Sequence, residues 1–119
     1  MKYTVFDRNI GLSMRIPDSV RIAGVEYTIR HVPNLRHDNN LAYGQIDFDA
    51  SEIRLSTTDG TEHQKQCITL LHEILHGIVN NNGMEIDDEE AIVSMFAKGL
   101  YQVLQDNGHR LFNLIDTET

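Results

Sequence analysis

The chain has 119 residues, 40% hydrophobic and 24% charged, and carries a formal net charge of −8 at pH 7. That length suits one domain with a conventional apolar core, and the composition argues against disorder. The basic residues are scattered with no local cluster, so the acidic balance argues against nucleic acid as a partner.

The longest apolar runs span only a few residues, far short of a membrane helix. The opening "MKYTVFDRNIGLS" has no apolar h-region, so no secretory signal is read there. Cys67 is the single cysteine. A disulfide framework is thereby ruled out, and the expectation is a cytoplasmic protein with no membrane attachment. Preceding "ITLLHE" on a helical pattern, Cys67 reads as a small core residue.

The turn-rich first part contains both prolines, Pro17 and Pro33. In "VRIAGVEYTIRHV" (20–32), Val25, Tyr27 and Ile29 alternate with Glu26, Thr28 and Arg30, the period of a half-buried strand. Ala23-Gly24 reads as the turn or bulge that begins it. Pro33 stops the strand, and "NLRHDNN" reads as a polar loop. A second strand follows in "YGQIDFDA", with Ile46 and Phe48 on one face, and a third in "SEIRLST", with Ile53 and Leu55 inward. The short "DASE" link predicts an antiparallel hairpin between these two. The expectation is a small antiparallel three-stranded sheet with one wet face.

From Thr61 the period changes. "TEHQ" has the form of a capping box, with Thr61 as N-cap and Gln64 three residues on. Ile68, Leu71, Ile74, Leu75, Ile78 and Val79 then follow helical spacing, and "NNNG" (80–83) supplies residues that end a helix in the left-handed region. A second helix begins in "DDEE" and runs through "AIVSMFAKGLYQVLQ" to a stop at "DNG". Its apolar stripe is Ile92, Val93, Phe96, Leu100 and Val103. Strands followed by helices make the chain an α+β domain. It is read as a single domain over 1–119, with a core at about 17–107 and a C-terminal tail at 108–119.

The first helix carries "LHEILHG". His72 and His76 stand four residues apart, one turn apart on one face, at a spacing that lets two ring nitrogens reach one ion. Glu73 lies about 100° around the helix from His72, on the same side. This is the H-E-x-x-H pattern, in which the histidines bind zinc and the glutamate is the general base. The histidines flank the apolar stripe rather than occupy its centre, where both metal and solvent are within reach. The competing reading is a core helix with two satisfied histidines.

A catalytic zinc site needs a third protein ligand and an open position. The metzincin extension would place Gly at 79 and His at 82, where this chain has Val79 and Asn82. The second helix offers Glu89 and Glu90 in its first turn. Glu89 points along the centre of the apolar stripe and Glu90 flanks it. Glu90 has an equally good structural role, as the far half of a capping box with Asp87.

"HEILHG", followed after a short loop by Glu90, Val93, Ser94, Phe96 and Ala97 in "ExxVSxFA", resembles the gluzincin metallopeptidases. The resemblance is to their minimal ImmA/IrrE-like branch of phages and mobile elements, and it covers about residues 68–100. It implies His72, His76 and Glu90 as ligands of Zn2+, with Glu73 as general base. Val93-Ser94 stands where that family usually has Ala-Asn, a departure at the second motif. The implied activity is hydrolysis of a peptide bond in a protein or peptide substrate, with a narrow regulatory target. Tyr43, His63 and His109 are candidate oxyanion donors, and "YGQID" is a candidate sheet edge for an added substrate strand. His31 and His37 read as solvated loop residues. The alternative is a non-catalytic interaction protein that keeps the same fold. Oligomeric state is left open.

Overall fold

The computed structural model describes residues 15–58 and 62–114. Strand β1 (Ser19–Ile22) and strand β2 (Val25–Val32) form a hairpin. Ala23-Gly24 is its two-residue turn, with φ of 52° and 84°, the positive values that match the twist of paired strands. The stretch expected to hold one strand thus holds two. The expected polar loop contains a minute second hairpin, β3 (Arg36–His37) with β4 (Asn40–Leu41), turned by Asp38 and Asn39 at positive φ.

Strands β5 (Gly44–Asp47) and β6 (Glu52–Ser56) pair antiparallel, as their short link predicts. Asp47 Oδ1 accepts the Ala50 N–H at 3.0 Å and helps close that turn. The sheet order is β1-β2-β6-β5, and β2 runs parallel to β6. The sheet is therefore four-stranded and mixed, not three-stranded and antiparallel. Alternation along a strand says which side chains face inward. It is silent on which neighbour supplies the backbone bonds.

One sheet face carries Arg54 bonded to Glu52, Gln45 and Asp47, the wet face expected from the alternation. The other buries Ile22, Tyr27, Ile29, Ile53 and Leu55 against Leu70. Leu70 belongs to helix α1 (His63–Asn82), which crosses β1, β5 and β6. Glu62 is its N-cap, with no side-chain capping bond. Thr61, expected in that place, lies outside the described residues. Gly83 ends α1 in the left-handed region at φ 65° and returns its N–H to Asn80.

Helix α2 (Glu89–Phe112) packs on α1. It runs past the expected stop at "DNG" through a kink at Gly108. Its N-cap is Asp88 in the left-handed region, again without a side-chain bond, so the expected Asp87–Glu90 capping box does not form. The expected stripe is also displaced. Val93, Ala97 and Tyr101 are buried, whereas Ile92, Phe96, Leu100 and Val103 are exposed. Among the described residues the main packing partner of α2 is α1, so only a narrow line at i, i+4, i+8 is covered. Among the described residues, no helix is long and apolar enough to cross a membrane.

Candidate metal centre

The four-residue spacing on α1 places the His72 and His76 rings 4.8 Å apart, edge to face. Their Nε2 atoms lie 3.1 Å from each other. The Glu90 carboxylate reaches across from the start of α2, with Oε2 at 3.0 Å from His72 Nε2 and Oε1 at 3.0 Å from His76 Nε2. These three residues can hold a metal ion. Donors on a zinc tetrahedron with bonds near 2.0–2.1 Å stand about 3.3 Å apart, and two imidazoles with one carboxylate are a fitting set. Both histidines are half-buried, at the rim of the core as the helix spacing predicts.

Glu89 has a different task. Its Oε2 lies 2.7 Å from His76 Nδ1. A carboxylate there accepts the Nδ1–H, which fixes the tautomer and leaves the Nε2 lone pair facing the group. The sequence left Glu89 and Glu90 open between them. The structure brings Glu90 to both Nε2 atoms and puts Glu89 behind His76. Ser94 Oγ, one turn past Glu90, donates to Glu90 Oε2 at 3.5 Å.

Glu73 is 7% exposed. Burial pushes its carboxyl up to about 7, with the nearby His76 opposing the rise and Glu90 adding to it. Burial works against ionisation of Glu90 too, yet His72 and His76 hold its carboxyl below the usual range. For His76 burial favours the neutral ring, and the bonds to Glu89 and Glu90 outweigh it and raise the pKa. Glu73 faces β5 where that strand has no side chain. A Cβ on Gly44 would meet Thr69 Cγ2 and come within 3.2 Å of Glu73 Oε2.

These groups share a cleft of about 710 Å³, lined also by Tyr43, Lys65, Thr69, Ser94 and Lys98. On the far side of His76, a cavity of about 340 Å³ is lined by Ile46, Phe48, Val79 and Met84 together with Asn80 and Glu89. Of the expected oxyanion donors, Tyr43 lines the cleft. His63 lies at the start of α1 with its Nε2 3.5 Å from Cys67 Sγ, and His109 lies near the far end of α2. His37, expected to have no role, borders the cleft, while His31 is exposed on β2. Cys67 is buried, which raises its thiol pKa and suits a core residue. Sequence reasoning passed over Lys65 and Lys98, although each sits at helical spacing from a metal-group residue, seven before His72 and eight after Glu90.

Comparison with known proteins finds no matching family model, no matching curated protein and no matching solved structure. The case for function therefore rests on this chain's own chemistry.

Proposed function

We propose that the cleft is the active site of a zinc-dependent metallopeptidase, similar in plan to the minimal gluzincins, acting on a narrow protein or peptide target. The observation that carries the reading is the convergence of His72, His76 and Glu90 beside a buried acid, Glu73. A site that only stored metal has no use for that acid. Zinc held there supplies Lewis acidity and lowers the pKa of a coordinated water to about 7.

The chain's own residues do the rest. Glu73, buried beside the metal group, takes the proton of the attacking water on its carboxylate and returns it to the leaving amine, as the water oxygen bonds to the peptide carbon and the C–N bond breaks. Glu89 holds His76 in register, and Ser94 orients Glu90. The substrate lies along β5, the edge of the sheet. Ser56 donates its N–H to the Tyr43 carbonyl at 2.8 Å. Antiparallel alternation then turns the backbone groups of Gly44 and Ile46 away from β6, toward the open side. Those groups can pair with an added peptide strand next to the metal group.

The test is elemental analysis of purified protein with a set of variants. The expected result is about one zinc per chain, lost in His72→Ala and Glu90→Ala. In Glu89→Ala, affinity should be weakened by about 10- to 100-fold, the usual cost of losing a ligand's hydrogen-bond partner. Glu73→Gln should retain zinc and lose activity by about 10²- to 10⁴-fold on a peptide library, the scale of a general base. A parent that takes up no zinc on reconstitution sinks the proposal. The second reading, an interaction protein with the same fold, is favoured by the exposed apolar residues Ile92, Met95, Phe96 and Leu100 on α2. In that reading Glu73→Gln leaves every function intact.

A further inference from the structure

The chain has three lysines, and two of them, Lys65 and Lys98, line the cleft that holds the metal group. In a chain of net charge −8 this concentration runs against the composition. The two come from different helices. On α1 a single face carries Lys65, Thr69, His72 and His76. On α2 one carries Glu90, Ser94 and Lys98. The two rows lie side by side along the cleft, with the metal group toward one end and the lysines toward the other.

Neither lysine is in an ion pair with a carboxylate among the described residues. The Lys65 ammonium instead lies 3.7 Å from the centroid of the Tyr43 ring, a contact that holds it toward the start of β5. With Thr69, the two lysines also line a further hollow of about 400 Å³ that continues past Glu62 and Gln64. The groove therefore runs on beyond them. The cavity beyond His76 mixes Ile46, Phe48, Val79 and Met84 with Asn80 and the Glu89 carboxylate and has no lysine in its lining, so the two ends of the groove differ in charge.

We propose that Lys65 and Lys98 form a carboxylate-binding subsite that selects peptides carrying an acidic side chain, or a free C-terminus, on one side of the metal group. The inference rests on reading the cleft as a peptide groove. Lys65 is about 10 Å along α1 from His72, and Lys98 about 12 Å along α2 from Glu90, at 1.5 Å per residue. An extended chain covers that in about three to four residues. The overall negative charge disfavours acidic ligands at long range, so a preference for them must arise locally, at these two ammonium groups.

The experiment measures fluorescence anisotropy of short labelled peptides of alanine and threonine bearing one glutamate. Their glutamine counterparts serve as controls, and each is made as free acid and as C-terminal amide. They are titrated with Glu73→Gln protein, with and without added zinc. The expected preference for the carboxylate is about tenfold, the scale of one charge-assisted contact. It should vanish in Lys65→Gln/Lys98→Gln and return in Lys65→Arg/Lys98→Arg. A glutamate preference that persists among amides places the carboxylate on a side chain. A preference confined to free acids places it at the C-terminus. Equal binding of all forms, no measurable binding, or a preference that survives in the double glutamine variant overturns the subsite. Charge preference in a protein that cleaves nothing sinks the peptidase reading alone. Cleavage without charge preference sinks the subsite alone.

Discussion

Glu73 is the only acidic residue buried among those described, and burial makes it a stability switch in the metal-free chain. Its carboxyl is pushed from 4.5 up to about 7, so the folded state binds the proton more tightly than the unfolded one. The contribution is fully present below about pH 4.5 and is lost as pH rises through about 7, a swing of about 3 kcal/mol. Urea denaturation of the metal-free protein from pH 5 to 8 should show that fall. Glu73→Gln, with nothing to ionise, should remove its part of the slope and leave the shallower fall due to His76, whose raised pKa acts in the same direction, while the contribution of Glu90, lowered from 4.5, is already complete above that pH. Gly44 matters for the same carboxyl. A methyl group there meets Thr69 and presses on Glu73, so Gly44→Ala should cost about 1–3 kcal/mol by overpacking. Thr69→Ser should recover part of it in the same assay. The Glu89–Glu90 ambiguity also belongs to this scale. Both acids lie in the first turn of α2, and which one meets the Nε2 atoms depends on how that helix is rolled against α1. Long-range packing fixes the roll, and no local spacing encodes it.

Among the elements, α1 and the β5–β6 hairpin were legible, because a 3.6-residue period and a short link are local signals. The β1–β2 turn was half legible. "AG" marks a break, but Ala23 is an unusual residue to find at φ 52°. An alanine there is strained, so Ala23→Asn should stabilise the hairpin by about 0.5–1 kcal/mol, read as a raised urea midpoint at unchanged slope. The parallel pairing of β2 with β6 was not legible. It joins segments separated by both β3–β4 and β5, and alternation is the same for either neighbour. The buried line of α2 was misplaced for a related reason. Ile92, Phe96, Leu100 and Val103 are more apolar than Ala97, yet the small side chain of Ala97 is what lets the helices approach, and it is fully buried.

For the molecule as a whole, the order of strands and helices gave the α+β class, alternation gave the wet sheet face, and the H-E-x-x-H motif gave the two histidines of the metal group but not the choice between Glu89 and Glu90. The groove's polarity emerged only when two helices and an edge strand met. Two donors belong to α1 and the third to α2, whose apolar seam on α1 is the thin line of Val93, Ala97 and Tyr101. An ion bound by all three is a clasp between elements, and mass action then couples its concentration to folding. At a free zinc concentration a thousandfold above Kd, the native state gains about 4 kcal/mol. Differential scanning calorimetry should show chelation lowering Tm by about 15 °C, with no such shift in Glu90→Gln. Under the proposed function, zinc supply sets how much of this chain is folded, as well as how much of it is active.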